Sequence, residues 1–275
     1  MSRDGYSEFK HFLVTSPSPD VTHVQINRPQ KLNAFYEPMW IEFGKIFDKL
    51  SHDSDVRAIV LSGAGEKAFS AGLDVQAASE GGTFDKKGDV ARLAVAFRRH
   101  VEEFQNCIAS VERCEKRAFP ASIPFNTTAD DSLAVICVLH GYCFGLALDI
   151  STCADIRICA SNAKFAVKEV DIGVAADIGT LSRLPKVVGN FSWVKEVALS
   201  ARVFGADEAY RVGFVSQVHD TKEKAVEAGL KMAALLATKS PVAVQGTKEL
   251  LNHALDHTIA DSKFCYLVLK LIADI

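Results

Sequence analysis

Three carboxylates in one stretch of the chain have the setting for acid–base chemistry. Asp149 closes Gly145-Leu146-Ala147-Leu148-Asp149. Glu169 lies in Phe165-Ala166-Val167-Lys168-Glu169-Val170-Asp171. Asp177 lies in Gly173-Val174-Ala175-Ala176-Asp177-Ile178-Gly179. All three sit among apolar or small residues. Carboxylates seldom enter a protein interior unless they are paired or needed there. Burial and like-charged neighbours raise a carboxyl pKa, which lets carboxylic acids serve as acid and base near neutral pH. The plain alternative for each is a helix cap or an ion-pair partner; Asp177, just ahead of an expected helix at 178–188, fits an N-cap in particular. A second group of residues suits the backbone side of such chemistry. Phe69-Ser70-Ala71-Gly72-Leu73-Asp74 is a turn of small residues that lets a ligand carbonyl approach main-chain amides closely, or simply a turn with Gly72 at positive φ.

These segments must be placed by strands and helices. Residues 9–16 and 21–27 read as strands around a Pro-rich turn at 17–20, and Arg28-Pro29 ends the second. An amphipathic helix is expected over 37–50, with Trp40, Phe43, Ile46, Phe47 and Leu50 on one stripe. A buried-type strand follows at 56–62. Another helix spans 90–111, and its stripe of Val90, Leu93, Phe97, Val101, Phe104, Ile108 and Val111 is expected in the core. Residues 134–139 form a buried strand leading into the Asp149 helix. Short strands at 155–159 and 164–167 precede Glu169. Further on, helices are expected from 206 to 212, 222 to 239 and 242 to 253, with a short strand at 214–218.

The run Val167-Lys168-Glu169-Val170-Asp171-Ile172-Gly173-Val174-Ala175-Ala176-Asp177-Ile178-Gly179-Thr180-Leu181 resembles the crotonase (enoyl-CoA hydratase/isomerase) superfamily. Asn27-Arg28-Pro29-Gln30-Lys31-Leu32-Asn33-Ala34 resembles the superfamily's opening motif. The likeness extends from about Phe9 to about Ser262. Hydratases of the superfamily carry Glu, Glu and Gly where this chain has Asp149, Glu169 and Asp177. The Asp, Glu, Asp set resembles the Δ3,5-Δ2,4-dienoyl-CoA isomerase branch. The resemblance implies an α/β fold, a crotonase-type spiral of ββα units with a truncated C-terminal helical region. The core is expected over 1–200 and the helical region over 201–275.

By the same resemblance, Glu169 is the C2 base, Asp177 delivers a proton at C6, and Asp149 orients the site. The amides of Ala71 and Leu146 form an oxyanion hole. Ser70, Ala71, Gly72, Leu73, Asp74 and Ala147 line an acyl-CoA thioester site. Neither metal nor cofactor is implied; CoA arrives with the substrate. A homotrimer or hexamer is implied for a complete C-terminal region, and a peroxisomal or mitochondrial location for the family. The chain itself shows no targeting signal, so as written it reads as cytoplasmic. Enoyl-CoA hydratase and a non-catalytic acyl-CoA-binding protein stay open as alternatives.

Two stretches depart from the pattern. The 17 residues 117–133 contain two prolines and no periodicity, long for a connection in a compact domain. They read as a surface insertion or as translated intron sequence, which deletion should improve. After 262 an apolar tail replaces the expected helices and is expected to impair assembly.

Composition narrows the remaining classes. The chain has 275 residues, 48% of them hydrophobic, with a net charge of −3 and no basic footprint for nucleic acid. Seven cysteines, an odd count without a Cys-x-x-Cys pair, read as reduced core residues, and the eight histidines show no metal-ligand spacing. His140 reads as a packed residue at a strand end. The longest uncharged run, 132–148, is shorter than the ~20 residues of a membrane span.

Overall fold

The structure is a computed structural model, and it describes residues 3, 5–80, 89–113 and 133–261. In chain order, β1 (Phe12–Ser18), β2 (Val21–Ile26), α1 (Glu37–Ser51), β3 (Ala58–Gly63), β4 (Ala68–Ser70), α2 (Val75–Glu80) and α3 (Val90–Ala109) form the first part. Then come β5 (Ala134–Leu139), β6 (Tyr142–Phe144), α4 (Leu146–Cys153), β7 (Ile156–Ala160), β8 (Lys164–Ala166) and a 3₁₀ turn at Glu169–Ile172. The remainder is α5 (Thr180–Val187), α6 (Phe191–Ser200), β9 (Phe204–Gly205), α7 (Ala206–Arg211), β10 (Gln217–His219), α8 (Lys222–Ala237) and α9 (Pro241–Ala254).

The strands divide between two sheets, ordered β1-β2-β3-β5-β7-β10 and β4-β6-β8-β9. Each pass of the chain places one long strand in the first sheet and one short strand in the second, then a helix or helical turn. The units β3–β4, β5–β6 and β7–β8 are successive turns of the expected spiral. In the large sheet every pairing after β1–β2 is parallel. A parallel sheet covered on both faces needs strands that are apolar throughout, and β3 and β5 are buried at every position. Ile59, Leu61, Val135, Cys137 and Leu139 face one core, with Phe35, Phe43 and Phe47. Val60, Ile136 and Val138 face a second, closed by Ala225, Ala233 and Ala237 of α8. The region after residue 200 thus supplies a strand and a covering helix to the same sheet.

The expectation for α3 is corrected along half its length. Phe104, Ile108 and Val111 are buried, but Val90 is 79% and Phe97 45% exposed. The buried end is the one that meets α1: Phe104 stacks on Trp40 at 4.0 Å between ring centroids, and Cys107 lies against Gly44. The stripe predicts the helix correctly, but Val90, Val95 and Phe97 in its first half stay largely exposed. Of residues 117–133 only Leu133 is described; it is fully buried and its carbonyl accepts from the buried Lys248 Nζ at 3.1 Å. The other residues of that segment, and the tail after residue 262, lie outside the described residues. Among those described, no helix is long and apolar enough to cross a membrane.

Candidate active site

The small sheet is what brings the motifs together. β4 pairs in parallel with β6, and β6 with β8, so Ser70 lies opposite Cys143, and Phe144 opposite Ala166. The residues that follow these strands, 71–74, 145–149 and 167–169, therefore emerge side by side at one sheet edge. The carboxyl ends of parallel strands are where open α/β sheets commonly bind ligands. Three motifs about 25 to 75 residues apart in sequence become neighbours because of two short strand pairings.

Two turns there require glycine. Gly72 has φ +98, and a Cβ on it would meet the Phe144 carbonyl oxygen at 2.8 Å and the Leu146 amide nitrogen at 3.6 Å. Gly145 has φ +53, and its added Cβ would lie 3.1 Å from Glu169 Oε1. Both glycines thus permit a backbone approach that a side chain would block. Gly145→Ala is expected to push the Glu169 carboxylate aside and lower kcat by about 10–100-fold, the scale of a small misplacement of a reacting group. Steady-state kinetics beside a thermal melt would separate this from loss of fold.

The amides at this edge correct one expectation. The Ala71 N–H donates to the Leu32 carbonyl at 2.9 Å and so is not open to a ligand oxygen. The Gly72 N–H donates to Ser70 Oγ at 3.1 Å. The Gly72 carbonyl accepts from the Phe35 N–H at 2.8 Å, and the chain has no cis peptide among the described residues. In a trans peptide the N–H points opposite its carbonyl, so the Leu73 N–H points away from Phe35. No acceptor for it is found among the described residues. Leu146 begins α4, and the first amides of a helix have no intrahelical acceptor. Leu73 and Leu146, rather than Ala71 and Leu146, are therefore the pair of amides open at this edge.

Other residues expected to line the site build it instead. Ser70 is buried, and its hydroxyl donates to the Asn33 carbonyl at 2.9 Å. Asp74 pairs with Arg28 at 2.8 Å and accepts from the Ala77 N–H at 3.1 Å. Burial pushes the Asp74 carboxyl upward, yet the Ala77 and Arg28 hydrogen bonds prevail and hold it below the usual range. Ala147 is fully buried inside α4 and offers no surface to a ligand. The sequence reading missed Asn33 and Arg28 as positioning residues. Asn33 Nδ2 donates to the carbonyls of Ala64 and Ala68, both at 2.9 Å, and Arg28 Nη1 donates to the Ala34 carbonyl at 2.8 Å. The opening motif 27–34 was their signal.

The carboxylates differ from one another. Asp149 is 1% exposed, and its Oδ1 accepts both the Thr180 amide at 2.6 Å and the Thr180 hydroxyl at 2.7 Å. Burial pushes its pKa up to about 6, against the opposing effect of the Thr180 hydrogen bonds and of Arg183. Glu169 opens the 3₁₀ turn. Its Oε2 is buried with no hydrogen-bond partner among the described residues. Burial first, then the charge of Asp149, raises its pKa to about 7. Asp177 is exposed rather than enclosed, and its backbone carbonyl accepts from Gln105 Nε2 at 2.6 Å. Its charge still acts on both Asp149 and Glu169. It is not the N-cap of α5, since that position is Gly179 with no side-chain cap. The carboxylate at the start of α5 is Asp149, brought from α4.

His140 is buried with Nε2 2.9 Å from the Gly65 carbonyl oxygen, and burial lowers its pKa to about 4. Glu37, His100 and Glu103 place one ligand atom each within 4.8 Å of one another, a cluster joined across α1 and α3 that sequence spacing does not reveal. Its two glutamates are exposed and so can be solvated as surface charge. A cleft of about 990 Å³ lies beside α3, α5 and α9 and reaches the carboxylates only at Asp177; Glu169 does not line it.

Residues 21–264 match the model of the enoyl-CoA hydratase/isomerase family. The chain is 44% identical to the mitochondrial Δ(3,5)-Δ(2,4)-dienoyl-CoA isomerase of Homo sapiens over 254 residues, which cover 92% of this chain and 72% of that protein. It is 38% identical to the peroxisomal Δ(3,5)-Δ(2,4)-dienoyl-CoA isomerase of Arabidopsis thaliana, covering 84% of this chain and 77% of that one. The crystal structure of an enoyl-CoA hydratase from Bacillus anthracis superposes with a TM-score of 0.79 at 22% identity, covering 95% of this chain and 90% of that chain, and shows the same fold. With the spiral, the paired strand ends and this similarity in agreement, the chain belongs to the enoyl-CoA hydratase/isomerase family.

Proposed function

We propose that the chain is a Δ3,5-Δ2,4-dienoyl-CoA isomerase. The observation that carries this is Glu169: a half-buried carboxyl whose Oε2 is buried with no hydrogen-bond partner among the described residues and whose pKa burial raises to about 7, set against the Gly145 turn and beside the amides of Leu73 and Leu146. The two amides would receive the thioester oxygen as it becomes an enolate, and such a donor is typically worth about 2.7–4 kcal/mol. Glu169 takes the C2 proton. The electron pair of that C–H bond forms C2=C3, the C3=C4 pair moves to C4=C5, and the C5=C6 pair takes a proton at C6. Asp177 supplies it. The formula of the acyl chain is unchanged, so the conversion consumes no oxidant, reductant or water, and CoA enters and leaves with the substrate. The similarity to named isomerases supports this choice of reaction, and the Asp, Glu, Asp set supports these roles.

The base must be ionised to act. A carboxyl raised to about 7 is protonated below that pH, so kcat/KM should rise as pH increases through about 7. Asp149→Asn removes the charge that helps raise Glu169 and should move this limb to lower pH. A rate profile on a 3,5-dienoyl-CoA, with the product identified at each pH, tests the reading. A limb at the ordinary carboxylate value near 4, or a hydroxyacyl-CoA product from water addition, would contradict it.

A further inference from the structure

Thr180 is bound to the site more tightly than any expectation from the sequence assigned it. Its amide and its hydroxyl both donate to one oxygen of Asp149, at 2.6 and 2.7 Å, and Thr180 and Asp149 are both buried. No hydrogen bond to Asp149 Oδ2 is found among the described residues. A proton on Oδ1 would meet two hydrogens already pointed at that oxygen, so when Asp149 is neutral its proton belongs on Oδ2. The two donors favour the ionised form of Asp149, since hydrogen bonds to a carboxylate stabilise its charge. Among the described residues Glu169 has no donor on its buried Oε2, and the backbone hydrogen bonds to its carboxyl leave its pKa raised.

We propose that Thr180 is a positioning residue that decides which of two neighbouring carboxyls, the buried Asp149 and the half-buried Glu169, holds a proton: it fixes the negative charge on Asp149 and leaves the mobile proton to Glu169. This rests on the isomerase reading, in which Glu169 is the group that gains and loses a proton. The ionised Asp149 then keeps Glu169 a stronger base than an isolated carboxylate. The other groups facing Asp149 do not make this choice. Arg183, from α5, favours its charge but is itself paired with Glu112 at 2.7 Å; Asp177 opposes it. The Cys153 thiol on α4 is pushed by burial up to about 12 and stays neutral. Thr180 also ties the helix that presents the Leu146 amide to the segment that follows Asp177.

The test is a ¹³C-carboxyl titration of the full chain, with Asp149 and Glu169 assigned from Asp149→Asn and Glu169→Gln, beside a pH–rate profile. In the unmodified chain Asp149 should ionise before Glu169. In Thr180→Val, which keeps the shape and the amide but loses the hydroxyl, the Asp149 midpoint should rise and the Glu169 midpoint fall, each by about one pH unit. The rate limb should move down with Glu169, and kcat should drop by about tenfold with KM little changed, as expected of a weaker base. Thr180→Ser restores the hydroxyl and should restore midpoints and rate. Glu169 ionising first in the unmodified chain, unchanged midpoints in Thr180→Val, or no rescue by Thr180→Ser would overturn the role of Thr180. The carboxyl midpoints are read without turnover. Failure of the unmodified chain to isomerise a 3,5-dienoyl-CoA would instead sink the isomerase reading, whatever the midpoints, and persistent turnover in Glu169→Gln would place the C2 base elsewhere.

Discussion

Glu169→Gln is expected to lower kcat by about 10²–10⁴-fold, the usual contribution of a positioned general base. The amide has the shape of the carboxyl but takes no proton. Because Oε2 is buried without a partner among the described residues, replacing that oxygen removes none of their hydrogen bonds. The change also removes a group whose burial raises its pKa to about 7, so the folded state loses an unfavourably placed charge. Thermal stability should therefore be unchanged or slightly raised, and KM little altered. Loss of kcat with KM intact marks an interaction made in the transition state. Exchange of the C2 proton with solvent should stop. A Glu169→Gln protein that still exchanges C2 would place the base elsewhere.

Asp177→Asn carries the second large effect. A capping role would make this change mild, since Asn caps nearly as well as Asp, but α5 starts after Gly179 and is capped from Asp149. If Asp177 delivers the C6 proton, turnover should fall by about 10²–10⁴-fold with little change in KM or melting temperature. The residue bonds Gln105 through its backbone carbonyl, which Asn retains, so the local loop should persist. C2 exchange should survive in part, because C2 loses its proton before C6 gains one. The exposure of Asp177 sharpens the test. Water reaches this carboxyl and can recharge it, but water could also deliver the proton itself. Full turnover in Asp177→Asn would assign that step to solvent.

The long strands, α1, α3, α8 and α9 were legible to within a few residues because their apolar positions repeat at a strand or helix period. The short strands β4, β6 and β9 were not. At two or three residues each they carry no periodicity, yet β4 and β6 align the edges that make the site. The identities of Glu169 and Asp149 could be read because acidic residues in apolar sequence are conspicuous. Which amide was open could not. The Ala71 amide is taken by Leu32, a contact set by a left-handed turn in which Leu32 has φ +51 and Asn33 φ +56. No local rule at 69–74 foretells an acceptor so far back in the chain. The Thr180–Asp149 bond is hidden for the same reason: its two residues are 31 apart and meet only through packing of α4 on α5. The exposure of Asp177 was misjudged because small apolar neighbours at 173–178 suggest burial, while the chain there runs along the surface.

The most direct measurement is turnover of a 3-trans,5-cis-dienoyl-CoA by the 275-residue chain in deuterium oxide, with the product examined for identity and for the position of the label. The expected product is the 2-trans,4-trans-dienoyl-CoA, unchanged in formula apart from deuterium at C6 and, through the reversible C2 step, at C2, because the C6 proton is delivered at an exposed position in contact with solvent. Recovery of unreacted substrate without C2 exchange, or of a hydroxyacyl-CoA formed by addition of water, would contradict it.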